Sequence, residues 1–201
     1  MIRFTRMLML AGCLLAGSMG MAVAASARDQ IADLNAALLD VMKNADALGY
    51  AGRYDRLQPV MTRLYDFALM ARVAVGAYWK ELPEESRAQL IDAFSRMSIA
   101  TYAARFDGYS GERFEIVSAK KSVRDTMLVK TRLIKSDGTP VALNYLTKPN
   151  EGEWRIIDVF LDARFSELAR LRADYTAVIK RQGFDSLLTT IENKIAGMAN
   201  R

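Results

Sequence analysis

Apolar residues recur at helical steps through the first half of the chain and then alternate, and this change of period marks where helices give way to strands. Ile31, Leu34, Leu38, Val41 and Met42 fall on one face of a first helix at three- and four-residue steps. Leu57, Val60, Met61 and Leu64 define a short second helix. Asp66 is placed to cap a third, in which Phe67, Met70, Ala71, Ala74 and Tyr78 share a stripe. Pro83 followed by Glu84 and Glu85 opens the longest helix, because proline suits a first turn and acids complement the positive end of the helix dipole. Its inward stripe is Leu90, Ile91, Phe94, Met97 and Tyr102.

Beyond Gly108 and Gly111 the period is two, and four strands are expected near 112–120, 126–136, 140–148 and 153–162. Asp137-Gly138 and Pro149-Asn150-Glu151-Gly152 leave room only for hairpins, so the sheet is an antiparallel meander. Met127, Val129, Thr131 and Leu133 face one way on the second strand; Val141, Leu143 and Tyr145 face together on the third. The fourth, from Ile156 to Leu161, is apolar on both faces except at Asp158, which suits a covered position. Two helices close the chain, one carrying Leu168, Leu171, Tyr175 and Val178 and ending at Gly183, the other capped by Asp185. Helices, a meander, then helices again make an α+β domain with one face of a curved sheet against the helices.

The first two dozen residues read as an export signal: Arg3 and Arg6, the apolar stretch Met7 to Gly17, and the small-residue site Ala22-Val23-Ala24, with cleavage before Ala25. Residues 1–24 are then signal peptide and 25–201 a single domain placed outside the cytoplasm. Leu10-Ala11-Gly12-Cys13 offers a minor alternative, a lipoprotein anchored at Cys13. Cleavage before Ala25 removes the only cysteine, so the mature chain is held by its core without disulfides. It also removes two of 28 basic residues and none of 23 acidic ones, which lowers the formal charge from +5 to +3. That excess is mild and dispersed. Lys120-Lys121 and Lys180-Arg181 are short pairs with acids nearby, a distribution that argues against nucleic-acid binding.

With no histidine in 201 residues, nucleophilic catalysis and metal ligation have few candidates, and the sequence implies no cofactor. Asp158 and Asp162 are the one carboxylate pair of note. They serve either as chemistry, with Asp158 as the base of a small curved-sheet enzyme, or as structure, with Asp158 meeting an arginine or backbone amide and Asp162 capping the next helix. Asp107-Gly108-Tyr109-Ser110-Gly111 reads as a helix-to-strand connection before it reads as a binding loop. Met42, Met61, Met70, Met97 and Met127 lie on core-facing stripes, where methionine fills irregular space.

Four segments in order resemble the MlaC-like family, also called toluene-tolerance auxiliary proteins: Val75-Gly76-Ala77-Tyr78-Trp79, Ala93-Phe94, Gly152 to Val159, and Arg181 to Leu187. Asn44 to Tyr50 and Ser98 to Gly111 are most similar to its hopanoid-associated branch, HpnM. The resemblance implies a periplasmic carrier of phospholipid or hopanoid that works between an inner-membrane lipid transporter and an outer-membrane acceptor complex. It also implies a fold of an NTF2-like element plus a helical part around a deep apolar cavity. Mapped onto this chain, the lining is Phe67, Met70, Phe94, Met97 and Tyr102 from the helices, Met127, Val129, Leu133, Val141, Leu143 and Tyr145 from strands two and three, and Ile157 and Val159 from strand four.

Overall fold

The computed structural model describes residues 25–162 and 164–200; the leader and Cys13 lie outside them. Helix α1 (Ala27–Lys43) opens on a reciprocal cap in which Asp29 N–H donates to Ser26 Oγ at 3.2 Å and Ser26 N–H donates to Asp29 Oδ2 at 3.1 Å. It buries the expected stripe from Ile31 to Met42. Helix α2 (Ala45–Leu64) is longer than its apolar stripe suggests, because a first turn precedes a kink at Gly49, whose φ of 59° favours a residue without Cβ. In α3 (Phe67–Val75) Asp66 is the cap, Oδ1 accepting from Leu69 N–H at 2.8 Å. Gly76 stops α3, and a 3-10 turn over Gly76–Lys80 takes Tyr78 off the α3 stripe where it was expected. Pro83 is the residue before α4 (Glu84–Arg105) rather than part of its first turn, and the 22 residues of α4 rise about 33 Å.

The sheet is an antiparallel meander in the order β1-β2-β3-β4-β5: β1 (Arg113–Lys121), β2 (Met127–Ile134), β3 (Pro140–Asn150), β4 (Glu153–Leu161) and β5 (Phe165–Ser166). It has five strands, one more than the alternation indicates. Asp162, at φ 48°, turns the chain back after β4, and Phe165–Ser166 pairs with Leu161 and Phe160. A strand of two residues is too short to carry a period. Glu151 and Gly152 form the tip between β3 and β4 with both φ values positive, so Pro149 and Asn150 belong to β3 and not to the turn. A bulge at Ile157 shifts the register so that Thr147 faces Ile156 while Tyr145 faces Val159. The fully buried residue is therefore Ile156, and Ile157, expected inward, is half-buried.

Helices α5 (Glu167–Gln182) and α6 (Phe184–Ala199) are separated only by Gly183, at φ 84°. Ser166 caps α5 through Ala169 N–H at 2.9 Å, in place of Asp162, and Asp185 sits in the first turn of α6 without a capping bond. Two buried polar groups join the layers. Arg53 of α2, 9% exposed, donates from Nε to Ala103 O at 2.8 Å and from Nη1 to Ala45 O at 3.1 Å, placing a cation at the negative end of α4. Asp158 of β4 accepts from Val159 N–H at 2.8 Å, Leu168 N–H at 3.1 Å and the Ser166 hydroxyl at 2.6 Å, tying the sheet to the start of α5.

Removing the Arg53 fork leaves the buried Ala103 carbonyl at the end of α4 unpaired. Arg53→Met is expected to lower unfolding free energy in urea by about 2–3 kcal/mol, with Arg53→Lys between it and the parent. Burial raises the Asp158 carboxyl above the ordinary 3.8, against the hydrogen bonds from Ser166, Leu168 and Val159 that lower it. The folded state thus holds this proton more tightly than the unfolded chain. The resulting stabilisation is full below the unfolded value and disappears as pH rises through the folded one. Unfolding of the parent and Asp158→Asn at neutral pH and at about pH 4 should show the parent gaining on the variant in acid; a constant difference would contradict this sign. Asp158→Ala, which orphans two amides, should cost about 2–3 kcal/mol at neutral pH.

Candidate functional site

The helices meet the inner face of the sheet along a row of aromatic rings. Tyr175 of α5 lies edge-on to Phe94 of α4 with centroids 6.3 Å apart, and Phe94 edge-on to Phe67 of α3 at 6.4 Å. Phe67 stacks on Tyr65 at 5.2 Å, and Tyr65 meets Tyr102 of α4 edge-on at 6.1 Å. Tyr102 stacks on Phe106 at 5.6 Å, which touches Phe114 of β1 at 6.2 Å. Apart from the tilted Phe106–Phe114 contact, each junction has a stacked or edge geometry of the kind worth about 0.5–1.5 kcal/mol beyond the area it buries. Local chemistry places several of these rings: Tyr65 immediately precedes the Asp66 cap, and Tyr102 and Phe106 stand four residues apart at the end of α4.

Three tyrosine hydroxyls come together inside this seam. Tyr65 donates to Tyr102 Oη at 2.7 Å, while Tyr145 Oη of β3, fully enclosed, lies close to Tyr102 Oη without the geometry of a full hydrogen bond. Burial pushes the hydroxyls of Tyr65 and Tyr145 well above the ordinary tyrosine range and raises that of Tyr102, so all three are neutral donors in neutral solution. Buried Tyr175, outside this group, is satisfied: it donates to Met97 Sδ at 3.3 Å.

A groove of about 700 Å³ between α2, α3, α4 and the β3–β4 hairpin opens the outer side of this seam to solvent. Tyr65, Phe67 and Ile99 form its apolar floor, and Arg96, Arg155, Asp66 and Asn150 stand around it. Both arginines are engaged. Arg96 pairs with Asp92 at 2.8 Å and with Glu192, and Arg155 pairs with Glu153 at 3.1 Å and donates to the Arg63 carbonyl. A smaller cleft of about 380 Å³ between α4 and α6 is lined by Gln89, Asp92, Arg96 and Glu192 among others. Among the described residues no helix is long and apolar enough to cross a membrane, and no group of three or more His, Cys, Asp or Glu converges as metal ligands would.

Of the side chains expected to line a cavity, Phe67, Met70, Phe94, Met97, Val129, Leu143, Tyr145 and Val159 are buried in one continuous cluster. Tyr102, Met127, Leu133, Val141 and Ile157 are half-buried. Phe94, Val129 and Tyr145 have no accessible surface at all, so no water-sized void touches these three, while Phe67, Met70, Met97, Leu143 and Val159 keep a small residual exposure. Tyr65, Phe106, Phe114 and Tyr175 belong to the seam without having been picked out as lining. Tyr65, Phe106 and Phe114 lie at an element end or on an edge strand, where no period marks them, whereas the α5 stripe carries Tyr175. Asp158 pairs opposite Leu146, on the face away from Tyr145 and Val159, with both carboxylate oxygens engaged in the bonds to β4, β5 and α5.

Comparison with curated proteins finds no match. Among solved structures, the chain is similar to one described as a phospholipid-binding protein from Ralstonia solanacearum in complex with a phospholipid, with a TM-score of 0.76 at 20% identity over 87% of this chain and 99% of that one. The family model described as "MlaC protein" matches residues 32–193, from within α1 to within α6 and so across every element of the seam. The chain belongs to the MlaC family.

Proposed function

We propose that this protein is a periplasmic lipid carrier, in which the seam between sheet and helices parts to receive the hydrocarbon of a phospholipid. The observation that carries the reading is the position of the groove, whose floor of Tyr65, Phe67 and Ile99 is also the outer wall of the apolar core. The fold it shares with a phospholipid-bound protein supports the same reading. About 30 methylenes of two acyl chains, at roughly 0.8 kcal/mol each, resist transfer to water by on the order of 20 kcal/mol. An apolar void of several hundred Å³ left dry costs on the order of 10 kcal/mol, comparable with the stability of a whole domain. The walls therefore close when no hydrocarbon fills them, and tails exchange with side-chain contacts at small net cost. Met70, Met97 and Met127, adaptable in shape, suit walls that repack.

The lining in this reading is the set from Phe67 to Val159 named above, with Ile156 in the place of Ile157 and with Tyr65 added. Residues 1–24 act as the signal peptide, cleaved before Ala25, in preference to lipidation at Cys13. Direction comes from docking to an inner-membrane lipid transporter and an outer-membrane acceptor complex that open the seam at one membrane and close it at the other. The hopanoid-associated HpnM branch fits one local feature: Ala45 and Ala103, one from each of the two segments that carry that resemblance, are the two carbonyls gripped by Arg53. A hopanoid is accordingly the second cargo to test. The full enclosure of Phe94, Val129 and Tyr145 also suits a ligand-free adaptor, and the following experiment separates the two.

Gentle purification of the exported protein and mass spectrometry of its lipid extract should find phospholipid or hopanoid near one molecule per chain. An extract without lipid would favour the adaptor. Val159→Phe, which overfills the seam, should lower bound lipid several-fold at a stability cost of about 1–3 kcal/mol. Asp158→Asn, on the opposite face, should leave the lipid content unchanged; its loss with a folded protein would reopen a role for that carboxylate at the site.

A further inference from the structure

The interior that would hold hydrocarbon is not wholly apolar. Tyr65, Tyr102 and Tyr145 bring three hydroxyls to one place and form one hydrogen bond among them. Tyr145 Oη is enclosed at 0% exposure, and its one polar neighbour, Tyr102 Oη, lies close to it without the geometry of a full hydrogen bond. An unpaired buried hydroxyl is disfavoured in a finished core, where phenylalanine would supply the same ring without the penalty. The cluster also has a definite place along the path inward. Tyr65 is at once the floor of the groove and a member of the cluster, half-buried Tyr102 is bonded to it, and Tyr145 is fully enclosed. These donors thus stand between the polar rim, with Arg155 and Asn150, and the apolar seam beyond, with Phe94 and Met97.

We propose that this tyrosine cluster is the polar anchor of the cargo, with Tyr145 donating to an uncharged oxygen at the junction between the lipid's hydrocarbon and its polar end. In a phospholipid that oxygen is an ester carbonyl, which lies between headgroup and tails as the cluster lies between groove and seam. In a hopanoid it is a side-chain hydroxyl. The inference rests on the carrier reading and adds to it a basis for selection, since a buried site built to hydrogen-bond an oxygen discriminates against an analogue that lacks it.

The test measures uptake from vesicles by the purified mature protein of a diester phospholipid and of its diether analogue with the same chains and headgroup. A second pair compares a polyhydroxylated hopanoid with a hopanoid hydrocarbon. The parent is expected to favour the diester about five- to tenfold. Tyr145→Phe should abolish that preference by weakening the diester alone, with a melting temperature equal to or above the parent's. A preference confined to the hopanoid pair and lost in Tyr145→Phe would keep the anchor and assign it to the hydroxyl. Equal uptake of both members of each pair by the parent, or equal loss of both in a folded Tyr145→Phe, would overturn the anchor while leaving the carrier intact. If the parent takes up none of the four lipids, the carrier reading fails and the anchor with it.

Discussion

Hydrocarbon that cannot meet water must meet other hydrocarbon, and a gap left between two apolar walls forfeits the contacts on both sides. The described residues contain no disulfide or convergent metal ligands, so burial of apolar side chains is the main force holding the sheet to its helices. A wide dry chamber is incompatible with that force. The zero exposure of Phe94, Val129 and Tyr145 follows from it, as does the continuous row of rings from Tyr175 to Phe114.

The same constraint separates the parts of the molecule that hold it together from the parts that can exchange. Directional bonds sit at the margins of the seam. Asp66 caps α3 while its own amide donates to Ile156 O at 2.9 Å, Arg53 grips α2 and α4, and Asp158 ties β4 to α5. Inside, contacts are offset rings, methionines and branched aliphatics, which have no single partner and repack at modest cost. A frame of hydrogen-bonded joints around a non-directional filling can open without losing its connections. Thr131 and Thr147 interrupt that apolar filling with hydroxyls that donate to backbone carbonyls, and the tyrosine hydroxyls interrupt it beneath the groove.

Much of the architecture was legible before any coordinates. Asp66 and Gly183 act where their chemistry places them, the hairpin turns fall at Asp137-Gly138 and Glu151-Gly152, and β2 and β3 present the faces their alternation indicates. The misreadings share a cause. Asp162 and Asp185 were suited to capping by residue type, but Ser166 and Gly183 occupy those positions, because the turn after β4 is set by pairing with β5. The first turn of α2 carries too few apolar residues to register, and Tyr78 lies beyond a glycine that ends its helix.

Period, caps and turn residues are local quantities, decided within a few positions, and they are why the sequence by itself determined the order of helices and strands, the antiparallel meander and which faces are apolar. Only the tertiary structure decided that Ile156 and not Ile157 faces the core, because one extra residue in a strand is a property of its pairing with β3. It alone decided that Arg53 would find Ala103, fifty positions away, and that Tyr65, Tyr102 and Tyr145 would converge. Whether two apolar faces stand apart or touch likewise depends on how the whole sheet curves against its helices, and no stretch of sequence carries that distance.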